Sequence, residues 1–532
     1  MNATSPNRRL GYRDAIDYLY DRINYESLVG RDDRYRFRLK RTEELFSRLG
    51  LDEYLYRPGS ASRPKVPVVH LAGTKGKGST GTMVSAMLTA AGYRVGLYTS
   101  PHLTDLEERF RVNGQPCSRE TLVDLVQQIA PVVDQFDAAG EPVSFFELTT
   151  AMAVMHFDRC GCEAIVLEVG LGGRLDSTNV CASTVTAITS IGMDHQRVLG
   201  NTIAEITLEK AGIIKPGVPV VAGAKPDAAR QVIRRVAAEV GAPLLETGCD
   251  FDVSDRRDVN GGSEFVLGWT DHQLQPDTPA KPLSLFLPLD GAHQVDNASL
   301  AITIVKLLAD QLPVSDAEIA QGLRQIHCIG RLERFSLPAA DKDHTALQII
   351  IDTAHNQDSI VALCSAVRTR LETPGSPPAV ASDDSPVNLR HPLVFLFGTS
   401  RDKDATVMAA EISTLADEIV CTQYTTNPRG TDTAVLRESF ASLGDRPFGL
   451  HQQPDPHLAL QQAMQLATPG GTVVICGSFF LAGQLRPDVL AIANVCAATT
   501  TAPATTNQCS DSQPAKQPGA ESTERSAPQT EA

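Results

Sequence analysis

The sequence has no long apolar run, no signal-like start and no excess of positive charge. No stretch approaches the roughly 20 apolar residues of a membrane span, and MNATSPNRRLGYRDAIDYLY has no apolar signal core. The formal net charge of -15 argues against nucleic acid or an acidic membrane surface as the main partner. We therefore expect a cytoplasmic protein, in which any anionic substrate would need a local basic pocket.

Cysteine pairs are also scarce. Most of the 11 cysteines stand singly, many inside apolar runs, as expected of reduced core thiols. Cys160 and Cys162 are close together with His156 upstream, but the second half of a zinc-type motif is missing. The sequence therefore predicts neither a disulfide framework nor a zinc site here.

What the sequence does contain is a regular alternation of β-type runs and helical patterns. At 532 residues the chain is long enough for two or three domains. The candidate strands are 66–71, 94–99, 164–169, 184–190, 218–222, 347–352, 393–398, 418–422 and 472–476. This rhythm predicts an α/β fold with mainly parallel sheets.

Changes of pattern divide the chain into parts. Residues 249–289 predict short antiparallel strands with an Asn-Gly turn, and a helix is expected over Asn297–Leu312, stopped by Pro313. The predicted parts are an N-terminal domain 1–335 with a helical lead-in 1–60, a second domain 336–490 with a flexible insertion 374–388, and a disordered tail 491–532.

The segment VVHLAGTKGKGST predicts a phosphate-binding loop between a strand and a helix. Its glycines allow backbone N–H groups to face phosphate oxygens, Lys77 adds positive charge, and Ser79 opens the helix. Gly78 stands where the common GxxxxGK[ST] loop has Ser or Thr, so a hydroxyl ligand for Mg²⁺ must come from elsewhere. An ordinary Gly-rich turn is the alternative.

Polar groups follow two other predicted strands. Glu168 ends an apolar strand, and Asp194 and His195 come just after the next one. Ligands bind at the carboxyl ends of parallel strands, and a buried acid without a role there is costly. Taken alone, His195 is compatible with a structural histidine and Lys210 with a solvated helix residue.

The motifs together resemble one family. HLAGTKGKGST, YTSPHL, ERFRVNGQP, LEVGLGGRLDSTN, SIGMDHQRVLGNT, EKAGIIKPGVPVV, HQVDNASLA, GRLERF, DTAHN, GTSRDKD and VVICGSF occur in the order seen in folylpolyglutamate and dihydrofolate synthases. These belong to the Mur-ligase superfamily. The resemblance implies a P-loop-type, doubly wound, mainly parallel N-terminal domain and a smaller Rossmann-like α/β C-terminal glutamate-ligase domain.

The resemblance also implies a set of site residues. Lys75 stands where the family usually has Asn, as in its eukaryotic members, and Thr353 and Gln357 depart from the usual DTAHN-region pattern. The implied ATP contacts are Gly73, Thr74, Lys75, Gly76, Lys77, Gly78, Ser79, Asn297, Arg331, Asp352 and His355. A linker arginine is the alternative reading of Arg331.

Two magnesium ions are implied as well. Ser100 and Glu168 would share the first, and Glu168, His195 and a carbamylated Lys210 would hold the second. Carbamylation turns a cationic amine into an anionic oxygen ligand; an unmodified Lys210 that pairs with phosphate is the alternative. The implied catalytic residues are Lys77, Lys210 and His195.

For the acyl substrate, the resemblance points to segments that contact dihydropteroate in bifunctional members. They are Ser144, Phe145, Phe146, Glu147, Leu175, Asp176 and Ser177. Aromatic rings stack on a flat pterin and carboxylates accept hydrogen bonds from it, although both phenylalanines also suit a helix core. Asp402, Lys403 and Asp404 match a family motif without an assigned role.

The implied reaction is the ATP-dependent addition of L-glutamate to dihydropteroate, to the γ-carboxyl of tetrahydrofolate, or to both. It would run through an acyl phosphate in a monomeric enzyme. GRLDSTN resembles bifunctional bacterial enzymes and GTKGKGS resembles dedicated folylpolyglutamate synthases, so the choice of substrate stays open. A peptidoglycan-precursor ligase and an inactive nucleotide-binding module are the remaining alternatives.

Overall fold

The computed structural model describes residues 10–22, 39–59, 64–259, 261–270, 281–337, 346–372, 389–444, 447–468 and 470–500, with backbone only for 495–500. The helices of the first part are α1 Tyr12–Tyr20, α2 Leu39–Arg48, α3 Lys77–Ala90, α4 Arg119–Ala138, α5 Phe145–Arg159, α6 Gln196–Leu199, α7 Ile203–Ala211, α8 Asp227–Val240, α9 Ala292–Leu307 and α10 Asp316–Arg324.

An eight-stranded sheet forms the centre of this part. Its strands are β1 Val68–Ala72, β2 Val95–Tyr98, β3 Phe110–Val112, β4 Gln115–Pro116, β5 Ala164–Glu168, β6 Val185–Ile188, β7 Val220–Ala222 and β8 Leu244–Glu246. Their order is β4-β3-β2-β5-β1-β6-β7-β8, and all neighbours from β2 to β8 are parallel, whereas β3 and β4 are antiparallel.

The central strands are buried on both faces, as their β-branched sequences predict. Along β1, Val69 and Leu71 pack against α3 and α9, while Val68 packs on the opposite side with α4 and α5. The register pairs Leu71 with Glu168 and Ala72 with Ile188, so β1, β5 and β6 end at one edge of the sheet. The loops that follow these strands are thereby brought together.

A small antiparallel sheet covers one side of this core. Its order is β11-β10-β9, with β9 Phe251–Val259, β10 Gly262–Trp269 and β11 Leu283–Leu287. Phe251, Phe265 and Leu285 pack into the cluster that contains α3, α9 and α10. The predicted antiparallel strands are therefore present, although Asn260 of the predicted turn lies outside the described residues.

The second sheet belongs to the C-terminal part. Its strands are β12 Glu333–Leu337, β13 Leu347–Ile351, β14 Leu393–Phe397, β15 Glu418–Cys421, β16 Gly449–Gln452 and β17 Thr472–Cys476, in the order β12-β13-β17-β14-β15-β16. Only β12 is antiparallel to its neighbour. The helices are α11 Gln357–Glu372, α12 Ala405–Ile412, α13 Thr433–Ala441, α14 Pro456–Leu466 and α15 Phe479–Thr500. The two α/β sheets confirm the predicted fold class.

A buried charge cluster joins the two parts away from the strand ends. Asp290, which follows β11, accepts hydrogen bonds from Arg370 of α11, with 2.8 Å between Nε and Oδ1, and pairs with Arg334 of β12. Arg370 also donates to the backbone carbonyls of Val259 and Gly262 in the small sheet. Because all three side chains are largely buried, this attachment is shielded from solvent.

Two predicted boundaries differ from the structure. The helix expected over Asn297–Leu312 is α9, which begins after Gly291, whose positive φ breaks the chain direction, and ends five residues earlier, at Leu307. The predicted disordered tail is wrong for 491–500, which continue α15 because Ile492 and Ala493 still pack on the core. The insertion 374–388 and the remaining tail lie outside the described residues. Strand β12 begins just before the predicted domain boundary at 336, and that boundary stays a prediction.

Candidate functional site

The loop after β1 is attached to the end of β6. Thr74 donates to the carbonyl of Gly192 at 3.2 Å, and Thr189 donates to the carbonyl of Lys75 at 2.6 Å. Lys77, the first residue of α3, reaches back to the Gly73 carbonyl at 3.2 Å. Gly76 has a φ of 85°, and a Cβ there would collide with Asn297, which explains the glycine. The arrangement suits a polyphosphate at the start of α3.

Glu168 stands at the end of β5, beside this loop. Its Oε2 accepts the backbone N–H of Ser100 at 3.2 Å, and its Oε1 lies 3.7 Å from Lys77 Nζ. Burial raises the pKa of Glu168, and Lys77 counteracts that shift. The carboxylate therefore keeps acceptor capacity towards the cavity that it lines.

The side chains of Lys210 and Lys77 both donate to the backbone carbonyl of Gly73. The Lys210 amine, buried on α7, donates to the Gly73 carbonyl at 2.9 Å. Burial, assisted by Lys77, lowers the pKa of Lys210 to about 7. A substantial fraction of the amine is therefore neutral near neutral pH.

His195 lies nearby with a left-handed backbone, φ 49°, and a half-exposed side chain. Burial of its ring lowers the pKa of His195, while Asp194, whose carboxylate is 3.9 Å from Nε2, opposes the shift. A neutral imidazole is the form that binds metals. His195, Glu168 and Ser100 all line the cavity.

The donor set can be tested against the implied magnesium. Among the described residues, no three His, Cys, Asp or Glu side chains group as metal ligands. A metal here would thus combine Glu168 with the Ser100 hydroxyl, phosphate oxygens and water, the oxygen ligands that Mg²⁺ prefers. The spare acceptor capacity of the buried Glu168 fits that role. The Lys210 amine does not, unless it carries a carboxylate.

The second domain contributes the opposite wall. Asp352 follows β13 and accepts the backbone N–H groups of Leu332 and Ala354, both at 2.8 Å. Burial raises the pKa of Asp352, and Arg331 counteracts that shift. Arg331 also donates to Thr353. Asn297, Arg331, Asp352 and His355 all line the cavity.

Two ion pairs, both at least partly accessible to solvent, cross between the walls. Lys75 Nζ lies 3.4 Å from Asp358 Oδ2 at the start of α11. Lys403 Nζ lies 3.7 Å from Asp194 Oδ1. Each wall supplies one cation and one anion, so the pairs hold the two sides of the cavity together. The sequence analysis gave neither Lys403 nor Asp358 a role.

The predicted acyl-binding segments reach the same cavity, except for one residue. Phe146 lines the cavity, but Phe145 does not: it is fully buried, stacked on Tyr20 at 5.6 Å between ring centroids. The prediction of a ligand contact for Phe145 is therefore wrong, because the first turn of α5 points this ring into the core. Gly73 is also absent from the lining, and its carbonyl anchors Lys77 and Lys210 instead.

The two carboxylates of these segments are already saturated. Asp176 accepts from the N–H groups of Gly170, Leu171 and Thr178, each at 3.0 Å, and from the Thr178 hydroxyl at 2.5 Å. A carboxylate has about four acceptor positions. Asp176 therefore fixes the loop that follows Glu168, and its carboxylate has no position left for a ligand.

Glu147 is occupied in the same way. It accepts two bonds from Arg41, at 2.6 and 2.9 Å, one from Thr42 at 3.1 Å, and two from Ser144, at 2.7 and 2.9 Å. Ser144 in turn caps α5 through the Glu147 N–H. Ser144, Glu147, Leu175, Asp176 and Ser177 line the cavity, whose volume is about 2400 Å³.

Sequence reasoning missed a pair of residues at this end. The Arg109 Nε donates to His102 Nδ1 at 2.9 Å, and burial together with Arg109 lowers the pKa of His102 to about 3. Both residues line the cavity. The two residues belong to the motifs YTSPHL and ERFRVNGQP, but the spacing of these motifs does not show that His102 and Arg109 are in contact.

Two further features concern the cysteines and the apolar length of the helices. Cys160 lies 3.7 Å from His156, and the described cysteines are free thiols. Within the described ranges, no helix is both long and apolar enough to cross a membrane.

Comparisons with known proteins agree with the site. The family described as Mur ligase, glutamate ligase domain, matches residues 330–479. The dihydrofolate synthase/folylpolyglutamate synthase of Bacillus subtilis is 35% identical over 364 residues, 68% of this chain and 76% of that protein. A probable bifunctional folylpolyglutamate synthase/dihydropteroate synthase of Haloferax volcanii is 32% identical over 89% of this chain, which spans 50% of that relative.

A solved structure supports the same grouping. E. coli FolC in complex with DHPP and ADP superposes with a TM-score of 0.70 and 26% identity, over 92% of this chain and 99% of that chain. The similarities thus extend over most of the chain. This chain belongs to the folylpolyglutamate synthase/dihydrofolate synthase family of Mur-type ligases, as the sequence motifs predict.

Proposed function

We propose that the protein is an ATP-dependent ligase that adds L-glutamate both to dihydropteroate and to the γ-carboxyl of tetrahydrofolate. One observation carries the proposal: a single cavity joins the loop of Lys77, the Glu168 carboxylate, the Asp352–Arg331 wall of the second domain and the Phe146 end. Nucleotide and acyl substrate therefore have adjoining places. The Bacillus subtilis relative carries both activities in its name.

The chemistry follows from the poor leaving ability of a carboxylate oxygen. ATP phosphorylates the carboxylate to an acyl phosphate and leaves as ADP; the amine of L-glutamate then attacks the carbonyl and releases phosphate. Lys77 and Arg331 neutralise charge on the phosphoryl group from opposite walls. Asn297, Asp352 and His355 position the nucleotide between the domains, and closure keeps water from the acyl phosphate.

Ser100 and Glu168 would hold one Mg²⁺, and Glu168, His195 and carbamylated Lys210 a second. Held by these residues, the ions would supply positive charge that neutralises the phosphoryl group. The neutral Lys210 amine adds to carbon dioxide, giving a carbamate and one proton. Burial favours this reaction because it lowers the pKa of Lys210 to about 7 and so keeps the nucleophilic form available.

At the acyl end, we propose that Phe146 stacks on the pterin while Ser144, Leu175 and Ser177 form the surrounding wall. We propose that Glu147 and Asp176 shape that wall, and the hydrogen bonds that their oxygens already accept support this role. E. coli FolC is known with DHPP bound, which supports a place for an acyl substrate of this class. We also propose a monomer, which light scattering would test.

The decisive experiment measures phosphate release and the mass of the product with ATP, Mg²⁺ and L-glutamate. 7,8-Dihydropteroate and tetrahydrofolate are supplied separately, and a UDP-linked peptidoglycan precursor serves as the control substrate. Glutamylation of both pterin substrates is expected. Activity with tetrahydrofolate alone would make the protein a dedicated folylpolyglutamate synthase, and activity with neither would leave only nucleotide binding.

A further inference from the structure

A chain of polar contacts joins three residues of the cavity lining, Arg109, His102 and Tyr20. Arg109 Nε donates to His102 Nδ1 at 2.9 Å, and His102 Nε2 lies 3.2 Å from the hydroxyl of Tyr20. A guanidinium has only donors, so Nδ1 must be the acceptor and the ring proton must sit on Nε2. The tautomer of His102 is therefore fixed by Arg109.

The surroundings of Arg109 keep its guanidinium beside His102 and so maintain the tautomer. Its side chain is fully buried, and its guanidinium lies over the Phe145 ring, 5.1 Å from the centroid. Phe145 stacks on Tyr20 with only 8° between the ring planes. The core residue Phe145 thus supports both neighbours of His102, and His102, Arg109 and Tyr20 all line the cavity.

We propose that His102 is a substrate-contacting residue whose Nε2–H donates a hydrogen bond to an uncharged acceptor atom on the ring system of the acyl substrate. In the structure, Tyr20 holds that donor at a long 3.2 Å. Tyr20 is 45% exposed and can be displaced, so a buried substrate acceptor takes its place. Arg109 is the positioning residue that keeps the donor on the cavity side.

The charges of the cavity residues indicate which part of the substrate His102 contacts. The carboxylate to be activated belongs beside Lys77 and Glu168, where the phosphoryl group is transferred. His102 lies next to Tyr20 in the cavity lining, and a neutral ring donor there matches a neutral ring acceptor. This inference rests on the proposed function, because it assumes a pterin-type acyl substrate.

The test compares His102→Phe, which keeps a ring but has no donor, with His102→Gln, which keeps both a donor and an acceptor. Losing one neutral hydrogen bond should raise the KM for dihydropteroate roughly 3- to 12-fold in H102F. The KM for ATP should change less than twofold. H102Q should recover most of the loss, and the control H457Q, on the exposed surface of α14, should behave as wild type.

Tyr20→Phe should change the KM for dihydropteroate in the opposite direction. It keeps the ring that stacks on Phe145 but removes the oxygen that competes for the His102 donor, so the KM for dihydropteroate should fall. In the double variant Y20F/H102F that gain should disappear, since the donor is gone. An increase in KM in Y20F, or a gain that persists in the double variant, would overturn the proposal.

Equilibrium binding of dihydropteroate in the presence of ADP, without L-glutamate, separates the two proposals. Wild type that binds dihydropteroate but does not glutamylate it would overturn the ligase function and leave the His102 contact standing. Equal binding by wild type and H102F would overturn the His102 contact alone. Wild type that binds neither dihydropteroate nor tetrahydrofolate would overturn both.

Discussion

The carboxylates at the two ends of the cavity differ in how many hydrogen bonds they accept. At the phosphate end, Glu168 has one backbone donor and a lysine at 3.7 Å, and Asp352 has two backbone donors. At the acyl end, Glu147 and Asp176 accept four or more hydrogen bonds each. Burying an under-satisfied acid costs free energy, whereas a saturated one stabilises its loop. We propose that this contrast separates ligand-binding carboxylates from structural ones.

The largest effect should come from Glu168→Gln, which removes the open carboxylate at the phosphate end. We expect kcat to fall about 1000-fold, because an oxygen ligand and a negative charge are lost where phosphate is transferred. The free energy of unfolding should stay equal or rise, since a costly buried charge is gone. Steady-state kinetics and urea unfolding measure both, with exposed Asp316→Asn as control. A kcat above a tenth of wild type would contradict the assignment.

Asp176→Asn makes the corresponding change at the saturated end. The amide would face N–H donors, so we expect unfolding to become easier by about 2–4 kcal/mol. Urea unfolding followed by the fluorescence of the single tryptophan, Trp269, reports on this domain. The kcat should fall equally with dihydropteroate and tetrahydrofolate. A selective rise in the KM for dihydropteroate with unchanged stability would instead make Asp176 a direct pterin ligand.

The third prediction extends the comparison to a buried base at the phosphate end. The pKa of Lys210 is lowered from 10.5 to about 7 in the folded protein, so the unfolded chain binds more protons between these values. Stability should therefore rise with pH across that window, by up to about 1.4 kcal/mol per pH unit. Urea unfolding in CO₂-free, metal-free buffer measures the slope. Lys210→Met should flatten it; an equal slope in the variant would refute the shifted pKa.

The smallest effect belongs to an exposed carboxylate at the phosphate end. Asp358→Asn breaks the pair with Lys75, and exposed pairs contribute little, so we expect kcat/KM for ATP to fall only about threefold. The charge exchange Lys75→Asp with Asp358→Lys tests the pairing, although it also alters the phosphate loop. If D358N lost as much activity as E168Q, the expectation that exposed carboxylates contribute less than buried ones would be contradicted.

The sequence was sufficient for the parts that depend on local pattern. The β-branched runs around Val69 and Val166 predicted strands of a mainly parallel sheet, and both are buried strands of the eight-stranded sheet. Neighbouring Phe145 and Phe146 could not be told apart, because the direction of each ring depends on how α5 is rotated against the sheet.

Features that depend on tertiary contacts were out of reach. The bond between His102 and Arg109 joins residues seven apart whose loop path only the fold defines. The saturation of Asp176 depends on backbone N–H groups, which every sequence contains and no motif marks. The early start of α9 follows from the backbone turn at Gly291.

The buried cluster around Asp290 has a consequence for how the protein responds to salt. Dissolved ions screen charges that water reaches, such as Lys75 and Asp358, over about 10 Å at 0.1 M, but they screen buried pairs far less. Arg370 also donates charge-assisted hydrogen bonds to two backbone carbonyls within the same buried cluster. Concentrated salt should thus weaken the pair of Lys75 and Asp358 at the cavity more than the buried cluster of Asp290 and Arg370.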